Sequence, residues 1–289
     1  MLLSEFIQRA AAGLGAVYPQ QEARSMVSIL VCERLGVQSW THIVNPSFEI
    51  PEQSRAQLEE DLQRLVGMQP LQYVLGYAEF YGRRFRVTKD VLIPRPETEL
   101  LVEAALSRIA PGSAARILDL CTGSGCIAWT LALERPGASV TAVDISPGAL
   151  SIARSQFSAG ADSLKCNPIC FLEADVLGDL SELGGGKFDI IVSNPPYVME
   201  REKSEMRSNV LDHEPALALF VPDDDPLVFY RAIARHSSVL LADHGWGLVE
   251  INALLADSTA ACFRAAGFPA VSILPDLSGH PRFVFFGRE

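Results

Sequence analysis

The chain has 289 residues, 48% of them hydrophobic and 20% charged, which is the composition of a globular protein with enough material for two domains. Its formal net charge of −11 weighs against a main task of gripping nucleic acid, which asks for a basic face that displaces phosphate counterions, although a local basic patch can sit in an acidic chain. No stretch reaches the apolar length that spans a bilayer, and the N-terminal run sets Glu5, Gln8 and Arg9 where a signal peptide would keep an unbroken apolar stretch.

A cytoplasmic protein without membrane contact is therefore expected. Its six cysteines, at 32, 121, 126, 166, 170 and 262, form no Cys-x-x-Cys pair. No metal site is expected, and in a reducing cytosol they read as small buried hydrophobes.

The first part of the chain reads as helices. Leu3, Phe6, Ile7, Ala10 and Leu14 recur at helical spacing, and so do Ala23, Met26, Val27, Leu30 and Val31. A third set, Leu58, Leu62, Leu65 and Val66, follows Pro51 and an acidic first turn. Short helices with one apolar stripe each must pack on one another, which predicts a helical bundle over residues 1–75. Phe80 to Val87 then mixes aromatic and β-branched residues around Gly82, predicting a β-hairpin linker over 76–93. The basic cluster Arg83, Arg84, Arg86 and Lys89 is read as its solvated face. In Ile93 to Glu99 the prolines suit a helix start and the carboxylates complement its dipole, with Leu100, Leu101, Ala104 and Ala105 as the apolar stripe.

From residue 94 to 289 strands and helices alternate. Strands are predicted at 116–120, 140–144, 169–175, 188–193, 246–251, 271–274 and 282–286, the fourth entered from the Gly184-Gly185-Gly186 loop. Helices are predicted at 127–134, 147–157 and 226–241. Such alternation means an α/β, Rossmann-like, seven-stranded and mostly parallel sheet covered on both faces, with the last two strands close enough to pair antiparallel. Asp223-Asp224-Asp225 reads as a solvated loop.

In such a sheet, ligands bind at the carboxyl ends of the strands. After the first strand, Cys121-Thr122-Gly123-Ser124-Gly125 lets the backbone approach a ligand closely. The second strand ends in Asp144, whose carboxylate can accept from both hydroxyls of a ribose. Asp175 ends the third and can receive an adenine amino group, with Val176 against the ring. Together these loops describe an adenosine pocket. There is no Gly-Lys-Ser/Thr loop for ATP, while Ala128 at the third glycine position leaves a nicotinamide dinucleotide open on the turn alone.

The fourth strand decides the chemistry. Asn194-Pro195-Pro196-Tyr197 follows it directly. An amide or aromatic amine nitrogen is a poor nucleophile because its lone pair is delocalised. The Asn194 side-chain oxygen and the Pro195 carbonyl can each accept one N–H of a target NH₂, fixing its lone pair toward a transferable methyl group. Pro195 and Pro196 stiffen the loop, and the ring of Tyr197 can pack on a flat target. These residues point to methyl transfer from S-adenosyl-L-methionine to a planar nitrogen, with S-adenosyl-L-homocysteine as product and no metal. His213, Glu214 and His244 have no visible acid–base partner, and Trp129 and Trp246 read as core or pocket wall.

At this point the sequence resembles the bacterial release factor glutamine methyltransferases (the PrmC, or HemK, family) over nearly its whole length. Gln69 to Gly76 with Phe80-Tyr81-Gly82, Leu92 to Glu99, Asp119 to Gly125, Asp144-Ile145-Ser146, Val192 to Tyr197 and Glu214 to Leu217 follow in the family's order. The resemblance implies a class I methyltransferase fold, with methyl transfer to N5 of the glutamine in the Gly-Gly-Gln motif of peptide chain release factors. Residues 121 to 125, Asp144, Val176 and Asn194 would line the cofactor, Asn194 to Tyr197 would hold the glutamine amide, and Pro94 to Thr98 would lie beside the pocket. The N-terminal bundle and the hairpin would help dock the release factor, with the chain a monomer.

Two positions depart from the family. Cys121 stands where glycine is common, so its side chain can crowd the methionine end or demand ordinary backbone angles; Gly123 and Gly125 remain, and binding is expected to survive. Asp225-Pro226 replaces aspartate-glycine in a loop. The nearest rival is an amino-methyltransferase acting on an exocyclic amine of a nucleic-acid base, which would need a strand-binding surface. A second is a cofactor-binding protein without activity, against which intact Asn194 and Tyr197 speak.

Overall fold

The computed structural model describes residues 1–157, 165–184 and 187–289, so Gly185 and Gly186 of the glycine loop lie outside the described residues. Met1–Tyr77 with Arg207–His213 forms one unit, and Ala78–Met206 with Glu214–Glu289 forms a second.

The first unit contains α1 (Leu3–Leu14), α2 (Gln20–Leu35), α3 (Thr41–Val44), α4 (Glu52–Val66) and α5 (Leu71–Leu75). The stripe predicted for α2 is buried in full: Ala23, Met26, Val27, Leu30 and Val31. In α1, Leu3, Phe6, Ala10 and Leu14 face the core, while Ile7 is only half-buried. Val66 of α4 is exposed, and the buried residues there are Leu58, Asp61, Leu62 and Leu65. A buried carboxylate needs compensating partners. Asp61 receives Arg34 Nε at 2.6 Å, Gln57 Nε2 at 3.1 Å and Arg64 at 3.4 Å. The same two arginines donate to the carbonyls of Val74 (2.7 Å) and Tyr73 (3.0 Å), satisfying the open end of α5.

The hairpin of β1 (Tyr77–Phe80) and β2 (Arg83–Arg86) follows, in the second unit from Ala78 onward. Both turn residues, Tyr81 (φ 49°) and Gly82 (φ 70°), are left-handed, the geometry whose twist suits a two-residue hairpin. Arg83 pairs with Glu134 at 2.5 Å, so the basic cluster is not a purely solvated face. Next comes α6 (Pro96–Leu106), with Pro96 at its first turn; it buries Leu101 and Ala105 of the expected stripe together with Thr98, Val102 and Leu106, while Leu100 and Ala104 are half-buried at the edge of the same core.

Then follow β3 (Arg116–Leu120), α7 (Cys126–Glu134), β4 (Ser139–Asp144), α8 (Pro147–Ser155), β5 (Cys170–Glu173), β6 (Phe188–Ser193), β7 (Val198–Met199), the short α9 (Ser208–Leu211) that belongs to the first unit, and β8 (Phe220–Val221). The chain ends with α10 (Val228–Leu240), β9 (Leu241–Glu250), α11 (Ala256–Ala265), β10 (Ala270–Pro275) and β11 (Pro281–Gly287).

The main sheet runs β10-β11-β9-β6-β3-β4-β5. The strands β9, β6, β3, β4 and β5 are mutually parallel, and β11 is antiparallel to both β9 and β10. This is the expected seven-stranded, mostly parallel sheet. One apolar core lies on the face covered by α6 and α7, and another on the face covered by α10 and α11. The strand after α10 starts at Leu241, well before the predicted 246, because its first residues pair with the start of β6 through Phe188 and Leu241. Helix α11 has no counterpart among the predicted helices, because its buried face is only Ala256, Thr259, Ala260 and Phe263, a weak stripe. Among the described residues, no helix is long and apolar enough to cross a membrane.

Candidate active site

The strand order reverses beside β3, with β4 and β5 on one side and β6 on the other, so the crevice opens at the carboxyl ends of β3, β4 and β6. The register makes this concrete. Leu120 sits opposite Val143 on one side and Ser193 on the other. The next residues, Cys121, Asp144 and Asn194, therefore stand at one level, Asp144 as the last residue of β4. The Ser193 hydroxyl donates to the Leu120 carbonyl at 2.7 Å and ties the two strand ends together.

Every predicted cofactor residue except Gly125, Asn194 among them, lines one cavity together with Pro196, and Pro195 and Tyr197 adjoin these residues in the chain. Gly125 lies outside that lining and has a packing role. It caps α7 at φ 79°, and a Cβ there would lie 3.0 Å from Ala153 Cβ and 3.1 Å from the Trp129 ring, so glycine is what lets α7 and α8 approach. Trp129 is core, its indole N–H donating to the Ala153 carbonyl at 2.8 Å.

Asp144 accepts from Gly123 N–H at 2.8 Å through one oxygen and from Ser146 N–H at 2.9 Å through the other. Each oxygen keeps lone-pair capacity for a diol. Burial raises the Asp144 carboxyl above its ordinary range against these backbone donors. Deeper in the turn, burial pushes Asp119 up to about 7, with the Thr122 hydroxyl at 2.6 Å opposing the shift and the Asp144 charge adding to it. Burial also pushes the Cys126 thiol up to about 12 and raises Cys121 still further. Burial therefore disfavours the thiolate at both positions. Apolar walls come from Ile145, Val176 and Leu177, a surface suited to a flat ring.

The loop after β6 carries a network that the sequence does not announce. Asn194 Nδ2 donates to Thr98 Oγ1 at 3.1 Å, and Thr98 Oγ1 donates to Glu250 Oε2 at 2.8 Å. Tyr197 donates its hydroxyl to Glu250 Oε1 at 3.0 Å. Glu250 is fully buried at the end of β9; burial raises its carboxyl, and the Thr98 and Tyr197 hydroxyls oppose that. Asn194 Oδ1 is buried and has no hydrogen-bond partner among the described residues. An orphaned buried acceptor asks for an explanation, and a donor brought by a ligand is the simplest one at a cavity wall. The arrangement can hold an N–H group at the level of Asp144.

The lining also includes Pro94, Arg95 and Thr98 at the start of α6, and Pro215, Leu217 and Ala218 from the segment before β8. Glu214 joins them, accepting from Ile93 N–H at 3.1 Å and from Arg95 at 2.5 Å. The role of Glu214 is thus to clamp two loops.

Two family descriptions match the chain: PrmC N-terminal domain over residues 5–76, and Methyltransferase small domain over residues 96–215. A release factor glutamine methyltransferase of Bacteroides thetaiotaomicron is 40% identical over 272 residues, covering 94% of this chain and 95% of the relative. The chain belongs to the release factor glutamine methyltransferase family. A second member, from Flavobacterium psychrophilum, is 36% identical over 289 residues and covers 98% of each chain. A methyltransferase structure from Pyrococcus furiosus shares the fold at a TM-score of 0.51 and 13% identity, covering 82% of this chain and 99% of that one.

The family's departure at Cys121 resolves structurally. Cys121 takes φ 60°, the left-handed angle that glycine would take, so its side chain does not force ordinary backbone angles on the turn. The strain of a left-handed non-glycine residue is accepted locally. Cys121→Val adds a β-branched side chain at that angle and is expected to lower the unfolding free energy by about 2 kcal/mol. Cys121→Gly is expected to stay within about 0.5 kcal/mol of the parent, because relief of strain offsets added backbone freedom. Chemical denaturation of both variants checks this; equal losses would mean that volume matters there and backbone angle does not.

The remaining candidates fall outside the site. His213 places Nε2 3.1 Å from the Gly67 carbonyl within the helical unit, and His244 pairs with Glu289 on the surface at 2.5 Å. Trp246 stacks on Phe285. Asp225 holds Arg231, and Asp223 accepts from Arg201 N–H. No group of three or more His, Cys, Asp or Glu residues is placed to hold a metal ion among the described residues. Thr98 lies beside the pocket as the resemblance implies, but its hydrogen bonds to Asn194 and Glu250 have no signal in the sequence. Glu250 is the site residue that the sequence does not show, because it reads only as the end of a strand.

Proposed function

We propose that this chain transfers a methyl group from S-adenosyl-L-methionine to N5 of the glutamine in the Gly-Gly-Gln motif of peptide chain release factors. The products are N5-methylglutamine and S-adenosyl-L-homocysteine. The observation that carries this reading is the partnerless Oδ1 of Asn194, held at the level of Asp144. Family membership over 94% of the chain supports the substrate.

The residues present fit the cofactor. Asp144 keeps an acceptor on each oxygen for the ribose hydroxyls, Asp175 and Val176 suit the adenine, and residues 121 to 124 suit the methionine end. When bound, S-adenosyl-L-methionine supplies an electrophilic methyl on a sulfonium. Asn194 Oδ1 and the Pro195 carbonyl accept the two N–H groups of the glutamine amide and hold its lone pair toward that methyl. Pro195 and Pro196 keep the two acceptors rigid. Tyr197, anchored on Glu250 through its hydroxyl, offers the face of its ring. Positioning of this kind can lower a barrier by about 7–11 kcal/mol in favourable cases. The extra proton leaves readily once the nitrogen is cationic, so the chain needs no strong base.

In this reading residues 1–75 dock the release factor, 76–93 link, and 94–289 carry out the transfer. The protein works in the cytoplasm, as a monomer and without metal. The test incubates it with methyl-labelled cofactor and a release factor, beside a form whose Gly-Gly-Gln glutamine is replaced. Label is expected on the first alone. Label on the replaced form, or on added DNA or RNA, overturns the substrate assignment.

A further inference from the structure

We propose that Thr98 and Glu250 act as positioning residues that dictate which way the Asn194 amide faces, an inference that rests on the function proposed above. The argument is a count of hydrogens. An ionised Glu250 has none, so both of its contacts, with Thr98 at 2.8 Å and Tyr197 at 3.0 Å, are hydroxyls donating to it. Thr98 has one hydroxyl hydrogen and spends it on Glu250. Its oxygen can then only accept, so the atom 3.1 Å away must be the NH₂ of Asn194. Oδ1 of Asn194 is thereby left for the ligand. The two amide atoms of an asparagine are alike in shape and are told apart by such a network.

A reversed amide would set Oδ1 against the Thr98 lone pairs and present NH₂ to the NH₂ of the target, two mismatches at once. The carboxylate at the end of β9 therefore propagates one direction through Thr98 in the first turn of α6 to the tip after β6. Burial disfavours the charge on Glu250, but a hydroxyl donor on each oxygen and the nearby Arg282 favour it. The sequence separations are 152 residues for Thr98 to Glu250 and 96 for Asn194 to Thr98, so the relay exists only through the fold.

The experiment compares wild type, Thr98→Val, Thr98→Ser and Glu250→Gln in the full chain. It measures single-turnover methylation of a release factor, KM for that factor, cofactor affinity by calorimetry, and melting temperature. Thr98→Val removes donor and acceptor together and is expected to lower kcat about 30-fold, the loss expected when a buried amide loses its partner. Cofactor affinity and KM are expected to move less than about threefold, since the interaction acts in the transition state. Thr98→Ser restores the hydroxyl and is expected to return kcat to within about threefold of wild type. Glu250→Gln keeps the shape but can accept through only one atom, so one hydroxyl must reverse; a kcat loss of about tenfold is expected.

A Thr98→Val enzyme that turns over normally, or a serine variant that falls as far as the valine one, overturns the proposal. If the valine variant melts near the assay temperature, Thr98→Ala, which also removes the hydroxyl, decides in its place, and unchanged kcat there overturns the proposal. A wild type that methylates no release factor defeats the function proposed above and this relay with it. A working wild type with indifferent variants defeats only the relay.

Discussion

Asn194→Ala is expected to lower kcat by about 10²–10³-fold, the range seen when a preorganised group facing the reacting atoms is removed. Cofactor affinity is expected to fall by less than about tenfold, because Asp144 and the turn at 121 to 124 are untouched. The reason lies in what Asn194 uniquely offers. Its Nδ2 is already committed to Thr98, so Oδ1 is the one atom of the side chain left to meet a target N–H. Alanine removes that acceptor and leaves the Pro195 carbonyl to orient the amide alone. Single-turnover assays with labelled cofactor measure the rate, and calorimetry measures the affinity. A variant that keeps its rate removes Asn194 from the chemistry; one that loses cofactor binding and rate in equal measure makes it a cofactor ligand only.

Glu214→Ala is expected to cost about 3 kcal/mol of stability, the lower end of the range for breaking a buried ion pair, since Arg95 remains one-third exposed. The Glu214 side chain is 1% exposed and serves two donors, Ile93 N–H at 3.1 Å and Arg95 at 2.5 Å. Removing it strands a buried backbone N–H and a guanidinium together. For a unit of this size the loss corresponds to a fall in melting temperature of about 6–12 °C. Glu214→Gln can still accept from Ile93 and is expected to lose about half as much. Because Pro94, Arg95, Pro215 and Leu217 all line the cavity, cofactor affinity should weaken with stability. Thermal melts and calorimetry on both variants check the pair. A shift below about 1 °C for the alanine variant would mean that the clamp carries no weight.

Sequence reading succeeded where the signal was local. The α2 stripe from Ala23 to Val31 is a run of contacts within one helix, and burial follows it residue for residue. The α6 start at Pro96 is also local chemistry, a fixed φ with carboxylates in the first turn. Reading failed where neighbours decided. Leu241 to Gly245 has no strand pattern of its own, yet β9 begins there, beside β6. The sequence leaves open whether Cys121 demands ordinary backbone angles, and the structure carries it through the turn at φ 60° between strands whose register is fixed on both sides of β3. The packing demand on Gly125 is equally non-local, since Ala153 of α8 lies where a Cβ would go.

By itself the sequence determined the alternation of strands and helices, the turn after β3, the acid ending β4 and the Asn-Pro-Pro-Tyr tip. Each of these is written in residues that adjoin along the chain. Only the tertiary structure decided that the ends of β3, β4 and β6 stand at one level, and that Glu250, Thr98 and Asn194 share one line of hydrogen bonds. The physical reason is that a hydrogen bond between residues 96 or 152 positions apart leaves no period in a sequence; it exists only after burial has brought the two elements together and removed the water that would otherwise satisfy them.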